Sequence, residues 1–396
     1  MKELSRIAEE VQASTTLAID AMFKQMRADG VDVIGFGAGE PDFATPENIK
    51  EAGIAAIRAD FTKYTPTPGI PELRNAVVQR MKTEWDLDYA PTEIVVASGA
   101  KHALYAALRI LAEPGDEIIL PAPYWVSYYE LIRMVGATPV VVTATEEEHF
   151  KLTPEKLLAA VTERTKAVIL NNPSNPTGMV YGREELEALA RICVEEDLYI
   201  VADEIYAKLL YDGRIFTSVA SLGGRVKERT ILINGVSKTY AMTGWRIGYA
   251  AAPGHIAKLM SNYLSHSTAA PCSVAQKASA EAYSGPQETV EVMRSAFEER
   301  RNFLVGEMNK IPGVSCLLPE GAFYVMMNLH ELLGRSIRGT VIRNADDFAD
   351  AFLKYGLVAT VPCTGFGAPE FVRWSYATSM ENIAEGIKRL RVFLGE

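Results

Sequence analysis

Short apolar runs alternate with amphipathic stretches through the middle of the chain. The runs EIVVAS (93–98), EIILPA (117–122), TPVVVTA (138–144), KAVILNN (166–172), LYIVAD (198–203), TILING (230–235) and IGYAAA (247–252) predict strands. Between them, segments 101–112, 125–136, 153–161 and 184–196 repeat apolar residues at helical spacing. Strands alternating with helices predict βαβ crossovers and a mostly parallel sheet covered by helices on both faces. After about residue 285 the texture changes. A long charged amphipathic helix over 288–310 leads into GVSCLLPEGAFYVMMNL, which predicts strands. A helix over 344–356, the runs LVATVP and FVRWSYA, and a C-terminal helix follow. A further helix over 17–29 precedes the main series. The expected division is an N-terminal arm with part of a small domain (1–45), a large α/β domain (46–285) and a small α+β domain (286–396).

Composition narrows the classes of partner. A formal net charge of −10 sets the field of the whole molecule against nucleic acid and anionic membranes. An anionic small substrate therefore needs a local cationic pocket. The opening MKELSRIAEEV carries charges throughout and is not expected to be a secretory signal, and no window approaches the apolar length of a membrane helix. The 4 cysteines (Cys193, Cys272, Cys316, Cys363) form no CxxC pair, so a cytoplasmic protein without disulfides or zinc is expected. The 5 histidines are dispersed, with no HExxH, and no metal site is expected. GFGAGE (35–40) is not GxGxxG, and no GxxxxGK[ST] occurs, so nicotinamide and nucleoside-triphosphate cradles are missing.

Open α/β sheets bind ligands beyond the carboxyl ends of their strands. Here those ends carry Ser98-Gly99-Ala100-Lys101, Pro173-Ser174-Asn175, Asp203-Glu204-Ile205-Tyr206 and Gly235-Val236-Ser237-Lys238. Polar and ionisable residues thus gather on one rim. Small Gly99 and Ala100 let a helix N-terminus approach a phosphate, and Arg246 can present its planar fork to the same anion. Lys238, partly desolvated among small residues, can be a nucleophilic amine. Asp203, at the end of the most apolar strand, either caps a turn or holds a cationic ring nitrogen.

Together these segments resemble the class I and II aminotransferases, the fold-type I pyridoxal-phosphate enzymes. Residues 235–248, GVSKTYAMTGWRIG, match the family's attachment pattern. AGEPDF (38–43), KYTPTPGIPELR (63–74), SGAK, PYWVSY (123–128), NNPSNPTG (171–178), DEIY (203–206), GAFYV (321–325) and RWSYA (373–377) follow in the family's order, over essentially the whole chain. The match is nearest to the bacterial aspartate aminotransferase subgroup. By that resemblance Lys238 carries the cofactor as a Schiff base and acts as the acid and base. Asp203 pairs with the pyridinium nitrogen, Asn175 and Tyr206 donate to the phenolic oxygen, and Trp125 stacks on the ring. Gly99, Ala100, Ser237 and Arg246 hold the phosphate, with Tyr64 reaching it from the second subunit of a homodimer. The family often has a serine where this chain has Gly235, which puts more weight on Ser237 or on backbone. Arg373 grips the substrate α-carboxylate, helped by Gly39 and Asn175.

Residues 249–293 contain no arginine, so the partner-subunit arginine that some members use for a distal carboxylate is missing. The subgroup resemblance instead points to Lys101, with Ser14, Thr15 and Thr16 lining the pocket. The expected reaction moves the amino group of an L-amino acid, L-aspartate first, to 2-oxoglutarate by a ping-pong mechanism. Aromatic, alanine or branched-chain substrates, and a carbon–sulfur lyase of the same fold, stay open as alternatives. Prephenate-accepting members of the subgroup carry a basic residue near Gln12, so the glutamine weighs against that activity.

Overall fold

The computed structural model describes residues 2–13 and 15–395. Its centre is a seven-stranded sheet in the order Ile94–Ala97, Gly248–Ala251, Thr230–Gly235, Tyr199–Asp203, Thr165–Asn171, Glu117–Ala122, Thr138–Thr143. The last five of these run parallel to one another. Gly248–Ala251 is antiparallel to both its neighbours. Every residue of Ile94–Ala97, Thr230–Gly235 and Gly248–Ala251 is buried, as expected of strands with helices on both faces. Thr138–Thr143 has exposed positions because it closes the sheet's edge.

On one face, Ala100–Leu111, Val126–Met134 and Gly254–Ser267 pack Leu104, Leu108, Leu131 and Met260 against Val95, Ile118, Val201 and Ile231. The other face takes Leu73, Val77 and Met81 of Pro71–Trp85, Ala275 and Ala278 of Ser273–Ser284, and Leu186 and Leu189 of Arg183–Glu195. At about 1.5–3 kcal/mol per fully buried large apolar side chain, these two layers supply most of the drive to fold this part.

The remaining elements surround a three-stranded antiparallel sheet in the order Val361–Pro362, Phe371–Ser375, Tyr324–Asn328. Helices Glu288–Met308, Ala345–Gly356 and Met380–Leu394 bury Phe297, Leu304, Phe352 and Leu390 with Trp374 of the sheet. The side chains of Asn344 and Ser379 cap the second and third of these helices, accepting from Asp347 N (3.0 Å) and Asn382 N (3.2 Å). The N-terminal segment joins this group, because Ile34–Gly35 pairs in parallel with Val358–Ala359.

Two details depart from the sequence pattern. Of the run 313–329, only Tyr324–Asn328 is a strand, with isolated bridges from Ser315 to Asn328 and from Gly321 to Leu210 ahead of it. Pro319 has no N–H to give a ladder, and the next two, Glu320 N and Gly321 N, both donate to Gly178 O at 2.8 Å. Helices Glu47–Arg58, Pro71–Trp85, Gly254–Ser267 and Ser273–Ser284 also form where the pattern singles out none. Among the described residues no helix is long and apolar enough to cross a membrane.

Candidate active site

Parallel pairing puts three strand ends side by side. Asn171 stands opposite Asp203 in register, and Asp203 opposite Ile233, so Thr230–Gly235 delivers the short helix Val236–Thr239, and Lys238 on it, to the same rim. Asn171 fixes that rim. Its Nδ2 donates to Asp203 O (2.9 Å) and its Oδ1 accepts from Asn175 N (2.8 Å).

A cavity of about 460 Å³ opens above the rim. Of the sequence-predicted residues, Gly39, Ala100, Lys101, Trp125, Asn175, Asp203, Tyr206, Ser237, Lys238, Arg246 and Arg373 line it. Gly99 lies directly beneath Arg246. It has φ +86°, and a Cβ there would fall 2.2 Å from Arg246 Nη2, so only glycine permits the guanidinium to lie against the helix start. Arg246 is further held by donating to Thr243 O (2.9 Å) and Ser98 O (3.4 Å).

Gly235 is explained by crowding. A Cβ there would come within 2.8 Å of Gly248 Cα, so a serine does not fit this strand pair, and Ser237 is the hydroxyl left facing the cavity. Tyr64 does not line the cavity and is 98% exposed. Ser14 and the side chains of Thr15 and Thr16 lie outside the described residues. The helix Thr15–Ala28 brings Lys24 to the cavity edge.

Asp203 is 3% exposed; its Oδ2 accepts from the Tyr128 hydroxyl at 2.7 Å and its Oδ1 from Ile205 N at 3.2 Å. Burial pushes its carboxyl up to about 6, against the opposing pull of those two donors and of Lys238. Lys238 is brought down to about 8, first by burial, with Arg246 and Arg373 adding to the fall and Glu40 and Asp203 resisting it. Its Nζ donates to Gly39 O. An amine in that range holds and releases a proton near neutral pH.

The opposite wall comes from the three-stranded sheet. Arg373 donates from Nη1 to Asn175 Oδ1 and from Nη2 to Gly37 O, both at 3.0 Å. Its guanidinium lies 4.3 Å over the Tyr324 ring and 5.3 Å from that of Phe366. Its Nε is buried and has no acceptor among the described residues, and each Nη nitrogen has a second N–H beyond the one already donated, so the fork keeps donors for an incoming anion. Lys101 sits with Nζ 4.7 Å over the Trp125 ring, and burial lowers its ammonium below the ordinary lysine range, with Arg246 adding to this. In a molecule of net charge −10, Lys101, Lys238, Arg246 and Arg373 make one local cationic pocket.

Sequence reasoning does not assign Tyr128, Asn171, Tyr324, Glu40 or Thr243. All five line the cavity, and Thr243 Oγ1 donates to Glu40 Oε2 at 2.7 Å. Tyr128 has a signal in its position, one helical turn beyond Trp125 in PYWVSY. Tyr324 has its signal in GAFYV (321–325), but its contact with Tyr206 joins segments far apart in the chain and is visible only in the fold.

With this geometry in view, the family model for aminotransferase class I and II matches residues 31–390. The aspartate aminotransferase of Bacillus subtilis (strain 168) is 48% identical over 392 residues, covering 98% of this chain and 99% of the relative. Among solved structures, the aspartate aminotransferase from Rhizobium meliloti has a TM-score of 0.96 at 39% identity, covering 100% of this chain and 99% of that one. The aspartate aminotransferase from Thermus thermophilus with maleate has a TM-score of 0.93 at 41% identity over 100% of both chains.

Proposed function

The chain belongs to the class I and II aminotransferases, and from that premise we propose that it moves the amino group of L-aspartate to 2-oxoglutarate with pyridoxal phosphate held on Lys238. The observation that carries this reading is the convergence of a half-buried amine, a buried carboxylate and an arginine fork in one cavity. The residues fit the cofactor's groups. Asp203 would hold the ring nitrogen in its protonated form, and Tyr206 and the Nδ2 of Asn175 would donate to the phenolic oxygen. Trp125 would cover a ring face, while Ala100, Ser237 and Arg246, the last seated against Gly99, would take the phosphate. Tyr64, exposed here, would reach that phosphate from the second copy in a homodimer.

Pyridoxal phosphate, when bound, supplies an aldehyde that joins amines and a ring that draws electrons from the bond to be broken. The protein does the rest. Arg373 orients the substrate by its α-carboxylate, a positioning gain of the entropy-trap kind. The Nζ of Lys238 would be the group that takes the proton from the substrate α-carbon, holds it and returns it. Lys101, which lines the same cavity, would supply the charge for a distal carboxylate. The Thermus thermophilus relative in complex with maleate, a dicarboxylate, supports the acidic preference.

The test is a panel of amino donors with 2-oxoglutarate, read by loss of the bound cofactor's visible absorbance. Aspartate is expected to give the highest kcat/KM, with neither pyruvate nor ammonia released. Turnover with aspartate no better than with alanine or phenylalanine removes the substrate assignment.

A further inference from the structure

Two buried phenols connect the arginine wall to the cofactor side of the cavity. The hydroxyls of Tyr206 and Tyr324 lie 3.0 Å apart, and both residues are buried. A pair of hydroxyls shares one proton, so the bond has a direction. In the function proposed above, on which this inference rests, the Tyr206 proton goes to the cofactor's phenolic oxygen. The shared proton is then that of Tyr324, donated to the Tyr206 oxygen. Burial holds both phenols above their ordinary range, so both keep their protons to donate. An O–H whose oxygen accepts a hydrogen bond is itself a stronger donor.

The other end of this short chain meets the substrate grip. Arg373 pairs with Met326 across the sheet, and Tyr324 is two residues from Met326 on the same face. That register places the Tyr324 ring under the guanidinium at 4.3 Å. Asn175 completes the contact by accepting from Arg373 Nη1 at 3.0 Å. One side chain, that of Tyr324, therefore touches both the arginine and the second phenol.

We propose that Tyr324 is a positioning residue that ties Arg373 to Tyr206, so that the donor strength of Tyr206 toward the cofactor depends on the Tyr324 hydroxyl and responds to a carboxylate arriving at Arg373. The ring alone serves the arginine; the hydroxyl alone serves Tyr206. Tyr324→Phe separates the two.

The experiment titrates the visible absorbance of the bound cofactor with pH in the holoenzyme. A donor to the phenolic oxygen favours the deprotonated cofactor, so weakening it raises the midpoint. Tyr324→Phe is expected to raise the midpoint by about half a pH unit, roughly a 3-fold change in the acid constant. Tyr206→Phe raises it further, and the double variant matches Tyr206→Phe alone, because the hydroxyl of Tyr324 acts only through Tyr206. Placing 3-fluorotyrosine at 324, a stronger donor of the same shape, lowers the midpoint. Maleate, used as a non-reacting dicarboxylate, shifts the wild-type midpoint, and that shift is smaller in Tyr324→Phe. The inference is overturned by a Tyr324→Phe midpoint at the wild-type value, or by an equal rise in both backgrounds. It is also overturned by an upward or null movement with 3-fluorotyrosine, or by an undiminished maleate shift. A wild-type protein with no titrating visible absorbance removes the proposed function itself, a separate result.

Discussion

Two carboxyls stand next to each other at the end of strand Tyr199–Asp203, and they live in different regions of the molecule. Asp203 faces the cavity, with Tyr128 and Ile205 N donating to it and Lys238 adding its charge. Glu204 does not line the cavity. Its Oε1 accepts from Ser218 Oγ (2.9 Å) and Val219 N (3.0 Å), and its Oε2 is buried with no hydrogen-bond partner among the described residues. Burial moves both acids upward, Asp203 to about 6 and Glu204 to about 8. At neutral pH the first is mostly charged and the second mostly neutral. With both buried, Asp203 is held down first by the Tyr128 hydroxyl, then by Ile205 N and the charge of Lys238, whereas Glu204 has no cation near it and is pushed further up by the charge of Asp203.

The largest effect should come from removing the cation on the cavity side. Lys238→Ala is expected to lower kcat by about 10²–10⁴-fold, with loss of the borohydride-trappable link to the cofactor. Activity at the wild-type rate would break the comparison at its root. Asp203→Asn keeps the shape and removes the charge, and on the order of a 10²-fold loss in kcat is expected, measured at saturating substrate. If Glu204→Gln lost as much, the two acids would not differ in role.

On the core side the expected change is in stability rather than rate. Glu204→Ala strands the Val219 N–H and the Ser218 hydroxyl, costing about 1–3 kcal/mol in denaturant unfolding, while kcat per folded molecule stays near wild type. Glu204→Gln is the gentlest test and depends on pH. The folded-state value of Glu204, about 8, lies above its ordinary 4.5, so the folded protein binds the extra proton between those values. Its contribution is fully present below about 4.5 and is lost as pH rises through about 8. The melting temperature of Glu204→Gln relative to wild type should therefore rise between about pH 5 and pH 9. A difference that stays flat across that window would show Glu204 charged in the fold.

Much of the rim is legible in the linear pattern. Strand ends can be placed by apolar runs, and whatever follows a parallel strand faces the ligand side, so Asn175, Asp203 and Lys238 stand out before any packing is known. The four central strands Glu117–Ala122, Thr165–Asn171, Tyr199–Asp203 and Thr230–Gly235 lie within a residue of where the apolar runs put them. Helices Ser273–Ser284 and Pro71–Trp85 are less visible. The first packs small alanines, and the second shows a weak apolar stripe among charges.

By itself, then, the sequence determined the strand order's raw material, the ionisable rim and the family, because these depend on local period and on residues close together in the chain. Tertiary structure alone decided which of Asp203 and Glu204 meets a cation, why position 235 excludes a serine, and that Tyr324 touches both Arg373 and Tyr206. Those outcomes rest on contacts between distant segments, where burial and a few tenths of an ångström set charge and hydrogen-bond direction, and no pattern along the chain encodes them.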